Sequence, residues 1–366
     1  MRGRRDPQNV MFVVADLESV VPDDHPLRKI KARVDEEMRR LSPLFNEVYS
    51  HEGRPSVPPE RLIKATLLQA LYSIRSEREL VEQIGYNLLY RWFLDMRLDE
   101  PVWNHSTFSR NRERLMEHGL MQRFFEGSVA QAISEEATSI DHFTVDGTLL
   151  EACASMKSFR PKGEDDDGDS NRWGGFSGEK RSNETHESKT DPEAKLMRKG
   201  KGQAAMLAHS MHVLMENRNG LIMDVRVAEA NGTAERDQAE AMLHSVRKRH
   251  WLHPKTLGAD KGYDDGGFLK RLECEHQITP HVALRTGAIK SHTPEADARR
   301  RARKRQKTIG YRISQVVRKR VEPVIGWMKE IGGLKRTRFI GRWKTSLYAL
   351  AAAAAFNFLR LSHLSP

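Results

Sequence analysis

The stretch Thr144-Val145-Asp146-Gly147-Thr148-Leu149-Leu150-Glu151 constrains the fold more tightly than any other part of the chain. It is β-branched and apolar, and it carries one carboxylate in its middle. Side chains alternate along a strand, so Thr144, Asp146 and Thr148 share one face while Val145 and Leu149 point to the other. An ionised Asp in a buried sheet is costly unless a cation or hydrogen bonds satisfy it. Bonding to local backbone amides is the plain alternative to a cation.

Two later stretches favour the cation. Thr256-Leu257-Gly258-Ala259-Asp260-Lys261-Gly262-Tyr263 is a second short apolar run, with an Asp at its exit before a turn-forming Gly. From Arg318 to Lys329 the pattern is helical, with Arg318, Glu322, Ile325 and Lys329 on one face. Two strand-borne Asp and one helix-borne Glu are parts for holding two divalent metals. Mg²⁺ takes carboxylate oxygens and leaves room for water and phosphate, and a metal pair suits in-line phosphoryl displacement.

Charge points to the same kind of partner. The 366 residues carry a net charge of +11, which favours a polyanion, nucleic acid before an acidic membrane surface. From Arg299 to Lys344 there are seventeen Lys or Arg against two acids, Glu322 and Glu330. That excess suggests a nearby polyphosphate, with Arg303-Lys304-Arg305 expected in a loop leading to the Glu322 helix. Only two cysteines, Cys153 and Cys274, occur, so a zinc site or disulfide framework is not expected and a cytosolic setting fits. The apolar run Val10 to Ala15 is too short for a secretory signal. The run from Ser346 to Leu359 is too short for a membrane span and reads as a buried helix.

Residues 1–138 read as helical. Helices are expected from Leu27 to Leu41, after Pro58-Pro59, from Ser76 to about Phe93, and after Asn104. The last carries Arg110, Arg112 and Arg114 near its start, a basic helical pairing that suits docking on DNA. From 139 onward strands and helices alternate: the Asp146 strand, a polar insertion at about 157–202, and a hairpin of 208–216 with 221–228. A helix to Arg249, the Asp260 strand, a helix over 268–275 and a strand over 278–284 follow. This is a mixed α/β sheet flanked by helices. The acidic run Glu164 to Asp169 fails the calcium-loop test, because Ser170 and Phe176 stand where Gly and Glu are required. Asp141, Glu151, Asp264 and Asp265 are weaker candidates than the three acids above, and His209 and His212 read as packing residues.

Several motifs add up to a resemblance: Val21-Pro22-x-Asp24-His25-Pro26-Leu27-Arg28, Ser76-Glu77-Arg78-x-Leu80-x-Glu82, Asn87-Leu88-Leu89-Tyr90-Arg91-Trp92-Phe93 and Phe143-x-Val145-Asp146-Gly147-Thr148. Glu179-Lys180-Arg181-Ser182-Asn183, Ser188-x-Thr190-Asp191-Pro192-Glu193, Glu216-Asn217-Arg218-x-Gly220-Leu221, Asp260-Lys261-Gly262-Tyr263 and Val321-Glu322-Pro323 complete them. Over nearly its whole length the chain resembles bacterial insertion-sequence transposases of the IS-five group, DDE enzymes with a ribonuclease-H-like fold.

The resemblance implies a triad of Asp146, Asp260 and Glu322 and two Mg²⁺ (or Mn²⁺) ions, with Asp146 bridging. It implies Mg-dependent phosphodiester hydrolysis and transesterification on double-stranded DNA, at terminal inverted repeats and a target, by a homodimer in the cytoplasm. Arg318 and Lys329 match the family's phosphate-side positions. Gln315 stands where a Tyr is expected, with Tyr311 one turn earlier. A stand-alone nuclease and an inactive DNA-binding repressor are the competing readings. Pro323 either kinks its helix or begins it.

Overall fold

A computed structural model describes residues 16–49, 56–163, 181–198, 200, 202–289 and 291–364. Among the described residues seven helices come first: α1 (Leu17–Val20), α2 (Pro26–Val48), α3 (Pro59–Leu71), α4 (Glu77–Tyr86), α5 (Leu88–Phe93), α6 (His105–Glu117) and α7 (Leu120–Ser134). α2 runs past its expected end at Leu41 and through Pro43. The buried stripe of Ile30, Val34, Met38, Leu41 and Phe45 holds it together there, so packing outweighs the backbone hydrogen bond that a proline removes. The helix expected from Ser76 to Phe93 is two helices. Asn87 accepts from the amides of Leu89 and Tyr90 and starts α5 afresh.

The sheet contains β1 (His142–Glu151), β4 (Lys195–Met197), β5 (Met206–Glu216), β6 (Ile222–Glu229), β7 (Thr256–Ala259) and β8 (Thr279–Val282), with β2 (Phe159–Pro161) and β3 (His186–Ser188) forming a separate pair. β6, β5 and β1 lie antiparallel side by side, and β7 and β8 continue the sheet parallel to β1. The parallel additions need crossovers, which α8 (Ala234–His250) and α9 (Gly266–Cys274) supply. Three antiparallel strands followed by two parallel ones make the ribonuclease-H-like arrangement. The 157–202 insertion is not one polar loop: the β2–β3 pair closes its base, and β4 adds to the edge of β5. The acidic run Glu164 to Asp169 lies outside the described residues.

Four helices complete the described residues: α10 (Pro294–Arg305), α11 (Ile309–Val317), α12 (Val321–Glu330) and α13 (Arg342–Leu364). α13 is the one helix, among the described residues, long and apolar enough to cross a membrane, yet 72% of that apolar window is buried inside the protein. Ala349 and Ala351 to Ala355 are fully covered, because α13 packs on α3 and α7 on one side and on β6 on the other. Asn357 fixes the seam: its side chain accepts from the Ile222 amide and donates to the Ile222 carbonyl and the Ser128 hydroxyl. One apolar core thus runs from the N-terminal helices into the sheet.

Candidate active site

The strand register assembles the centre of the site. In the parallel pair of β1 and β7, His142 faces Thr256 and Thr144 faces Gly258. Two residues further, the same register puts Asp146 opposite Asp260, where β7 ends. Neighbouring strands stand about 4.8 Å apart, so both carboxylates leave one face at one end of the parallel pair. Beyond Ala259, β1 has no strand partner on that side among the described residues. The segment around α12 covers it: Lys329 Nζ donates to Thr148 Oγ1 at 3.1 Å and to the Leu149 carbonyl at 3.0 Å. Glu151 exchanges backbone bonds with Lys335 and Thr337.

Local bonds hold the two acids. Asp146 Oδ1 accepts from the Gly147 amide at 2.9 Å and Asp260 Oδ1 from the Gly262 amide at 2.7 Å. Burial pushes the Asp146 carboxyl up to about 6, and the nearby charges of Asp260 and Glu235 push the same way against Arg318. A group that gives up its proton so reluctantly in this setting is one that a cation would stabilise in its charged form.

α11 and α12 are joined by a 3₁₀ turn, Arg318–Arg320. Pro323 lies in the first turn of α12, where its missing N–H interrupts the backbone ladder between the two helices. His142 ties α11 to the sheet. The Thr256 hydroxyl donates to the Asp141 carbonyl, so His142 Nδ1–H donates to Thr256 Oγ1 at 2.7 Å, and Nε2 accepts from Ser314 at 3.1 Å. A Cβ on Gly258 would press on both His142 and Ser314.

The remaining sequence candidates divide. Glu322 lies between Arg318 and Lys329 on their helical stripe, but its side chain is exposed. Among the described residues no group of three His, Cys, Asp or Glu is already arranged as a metal site. Lys329 anchors α12 to β1 rather than standing free for a phosphate. Gln315 donates to the His281 carbonyl of β8 at 2.6 Å, and Tyr311 packs edge-on against His281. Arg112 is buried, paired with Glu77 and stacked 4.6 Å from the Phe339 ring, which removes it from the surface. Arg110 and Arg114 are exposed on α6.

Arg303, Lys304 and Arg305 end α10 instead of lying in a loop. Thr293 caps that helix, Pro294 starts it, and Ala296, Ala298 and Ala302 are buried. Much of the basic run is neutralised by acids from elsewhere in the fold: Arg299 by Asp264, Arg301 and Arg305 by Glu273, Arg342 by Glu193 and Lys344 by Glu113. Lys304, Lys307, Arg312 and Lys319 are exposed.

Of the weaker candidates, Asp264 pairs with Arg299, Asp265 caps α9, Asp141 pairs with Lys255 and Glu151 with Arg336. His209 pairs with the fully buried Asp191 at 3.0 Å. Glu235, absent from the sequence candidates, reaches the site from the first turn of α8. Its one sequence signal is its place in the helix-starting run Gly232 to Arg236.

Comparison with known proteins places the chain in a family. The family described as Transposase DDE domain matches residues 138–358, and Transposase domain (DUF772) matches residues 15–114. The chain belongs to the DDE transposase family. Among solved structures it is similar to the piggyBac transposase synaptic complex with hairpin DNA, at 10% identity and a TM-score of 0.40, covering 93% of this chain and 76% of that one. The Mos1 transposase paired-end complex with left transposon end aligns at 10% identity and a TM-score of 0.22, over 81% of this chain and 87% of that one. A comparison with curated proteins finds no match. As a transposase of the insertion-sequence type, the chain comes from a family that generally uses divalent metal ions. The oxygen-only donors Asp146 and Asp260 fit a hard cation, since Mg²⁺ is typically held by one or two carboxylates plus substrate phosphates.

Proposed function

We propose that this transposase binds the terminal inverted repeats of a bacterial insertion sequence and catalyses cation-dependent DNA cleavage and strand transfer, working as a homodimer on DNA in the cytoplasm. The observation that carries the reading is the β1–β7 register, which, continued two residues past its last pair of Thr144 and Gly258, sets Asp146 against Asp260. In this reading Asp146, Asp260 and Glu322 hold Mg²⁺ or Mn²⁺. When bound, such a pair supplies Lewis acidity at both ends of an in-line phosphoryl displacement.

The chain's own residues do the rest. Arg318 sets a positive charge beside Asp146, and Lys329 fixes α12, and with it Glu322, against β1. Exposed Lys304, Lys307, Arg312 and Lys319 give the DNA backbone a cationic surface next to the acids, and contacts of that kind position DNA without reading its sequence. Sequence reading falls to the N-terminal helices, with Arg110 and Arg114 offered to the duplex.

The test uses the purified full chain, Mg²⁺ and duplexes carrying the inverted repeats that flank the reading frame. Cleavage at the repeat end is expected, lost on Asp146→Asn or Asp260→Asn while repeat binding is kept. Binding with no cleavage by the unaltered chain would leave a repressor, and equal cutting of unrelated duplex would leave a nuclease.

A further inference from the structure

Glu235 is the acid that the triad does not account for. A Cβ added at Gly262 would overlap Glu235 Oε2 and lie 2.9 Å from Asp260 Oδ1, so both carboxylates converge on one glycine. On the other side, a Cβ at Gly147, the residue after Asp146, would lie 3.4 Å from Glu235 Cγ. Glu235 therefore stands between the neighbours of both strand acids. Its side chain is half-buried. A half-buried carboxylate held against like charges is destabilised unless a cation joins it.

Two orphaned polar atoms lie near Glu235. The Tyr263 hydroxyl is fully buried and has no hydrogen-bond partner among the described residues, and it sits in the field of Glu235, Asp146 and Asp260 together. His212, 1% exposed, also leaves its Nδ1 unpartnered, 3.1 Å from the same Cβ position on Gly147. Its Nε2–H is committed to Ser210 Oγ, whose own proton goes to backbone carbonyls of β6. A fully buried hydroxyl without a partner, in the field of three carboxylates, suits a site built for a hydrated ion.

We propose that Glu235 is a further carboxylate of the Asp146–Asp260 cation site, contributed by the first turn of α8 from the side opposite α12. Tyr263 Oη would face the ion's water. The inference rests on the reading of Asp146 and Asp260 as cation ligands.

The experiment is Mn²⁺ binding to the full chain without DNA, followed by electron paramagnetic resonance and by the Mn²⁺-induced rise in Tm. Wild type, Glu235→Gln, Glu235→Asp and Asp146→Asn are compared. Glu235→Gln is expected to weaken Mn²⁺ binding about tenfold and shrink the Mn²⁺-induced shift, while raising the metal-free Tm by relieving like-charge repulsion. Glu235→Asp should recover part of the affinity. If Asp146→Asn loses Mn²⁺ and Glu235→Gln binds it like wild type, Glu235 is not part of the site and the proposal falls alone. A Glu235→Gln protein that melts lower without metal and shows an unchanged Mn²⁺ shift makes Glu235 structural and also overturns it. If neither Asp146→Asn nor Glu235→Gln changes Mn²⁺ binding, the cation reading of the strand acids falls with it.

Discussion

Replacing Arg112 with Met separates a fold-holding arginine from a DNA-binding one. The Arg112 side chain is 4% exposed and that of its partner Glu77 is 18% exposed. Glu77 also accepts from the Ser109 hydroxyl. Burial pushes the guanidinium down to about 10, so it stays charged at neutral pH. Removing it strands a mostly buried carboxylate, and breaking a buried pair from one side costs about 3–5 kcal/mol. The remaining exposure of Glu77 argues for the lower end. Stacking on Phe339 at 4.6 Å adds about 1 kcal/mol, which the Met side chain recovers in part through packing.

The expected loss in urea unfolding is about 3 kcal/mol, seen in a thermal melt as a fall of about 4 °C. Pairing Arg112→Met with Glu77→Gln should return about half of it, because the stranded charge is then gone. DNA affinity measured over a salt series should keep its slope, since Arg112 reaches no phosphate. A loss below about 0.5 kcal/mol, together with a salt slope shallower by about one charge, would refute the structural role and return Arg112 to the DNA surface.

Lys329→Met should lower stability by about 1–2 kcal/mol, through the lost charged hydrogen bonds to Thr148 and Leu149, and cut repeat-end cleavage by more than tenfold while binding persists; full cleavage would show that α12 holds its place without it. Asn357→Ala strips bonds to both polar groups of Ile222 and should cost about 2–3 kcal/mol in urea unfolding, and a neutral result would mean the α13–β6 seam repacks. Burial, helped by His281, holds His142 down to about 4 in the folded chain, against about 6.5 unfolded. The unfolded chain therefore binds the extra proton first, so the His142 contribution is complete above about pH 6.5 and is lost as pH falls toward 4. His142→Gln should flatten the Tm profile over that window, and an unchanged profile would place the acid sensitivity elsewhere.

The features legible in the sequence were those that local pattern and register encode. The 114-residue spacing between Asp146 and Asp260 equals the offset between His142 and Thr256 in the β1–β7 pairing. The β5–β6 hairpin and the burial of α13 likewise follow from alternating or continuous apolar runs. What stayed hidden depends on partners remote in sequence. Arg112 looks like any exposed arginine until Glu77 and Phe339 close around it. Arg301 and Arg305 look like DNA ligands until Glu273 of α9 meets them. Even α10 carried a readable start in Thr293, Pro294 and Glu295, which the charge density of the next ten residues masked. Glu235 reads as the first turn of an ordinary helix, and only the return of α8 over β1 brings it to the two Asp.

The central claim is that Asp146 and Asp260 share one divalent cation. Anomalous diffraction from crystals of the transposase with repeat-end DNA and Mn²⁺ tests it most directly. The account predicts a Mn²⁺ peak within coordination distance, about 2.0–2.4 Å, of oxygens from both residues. Peaks seated only on other acids, such as Asp264 or Glu273, with Asp146 and Asp260 bare, would contradict it.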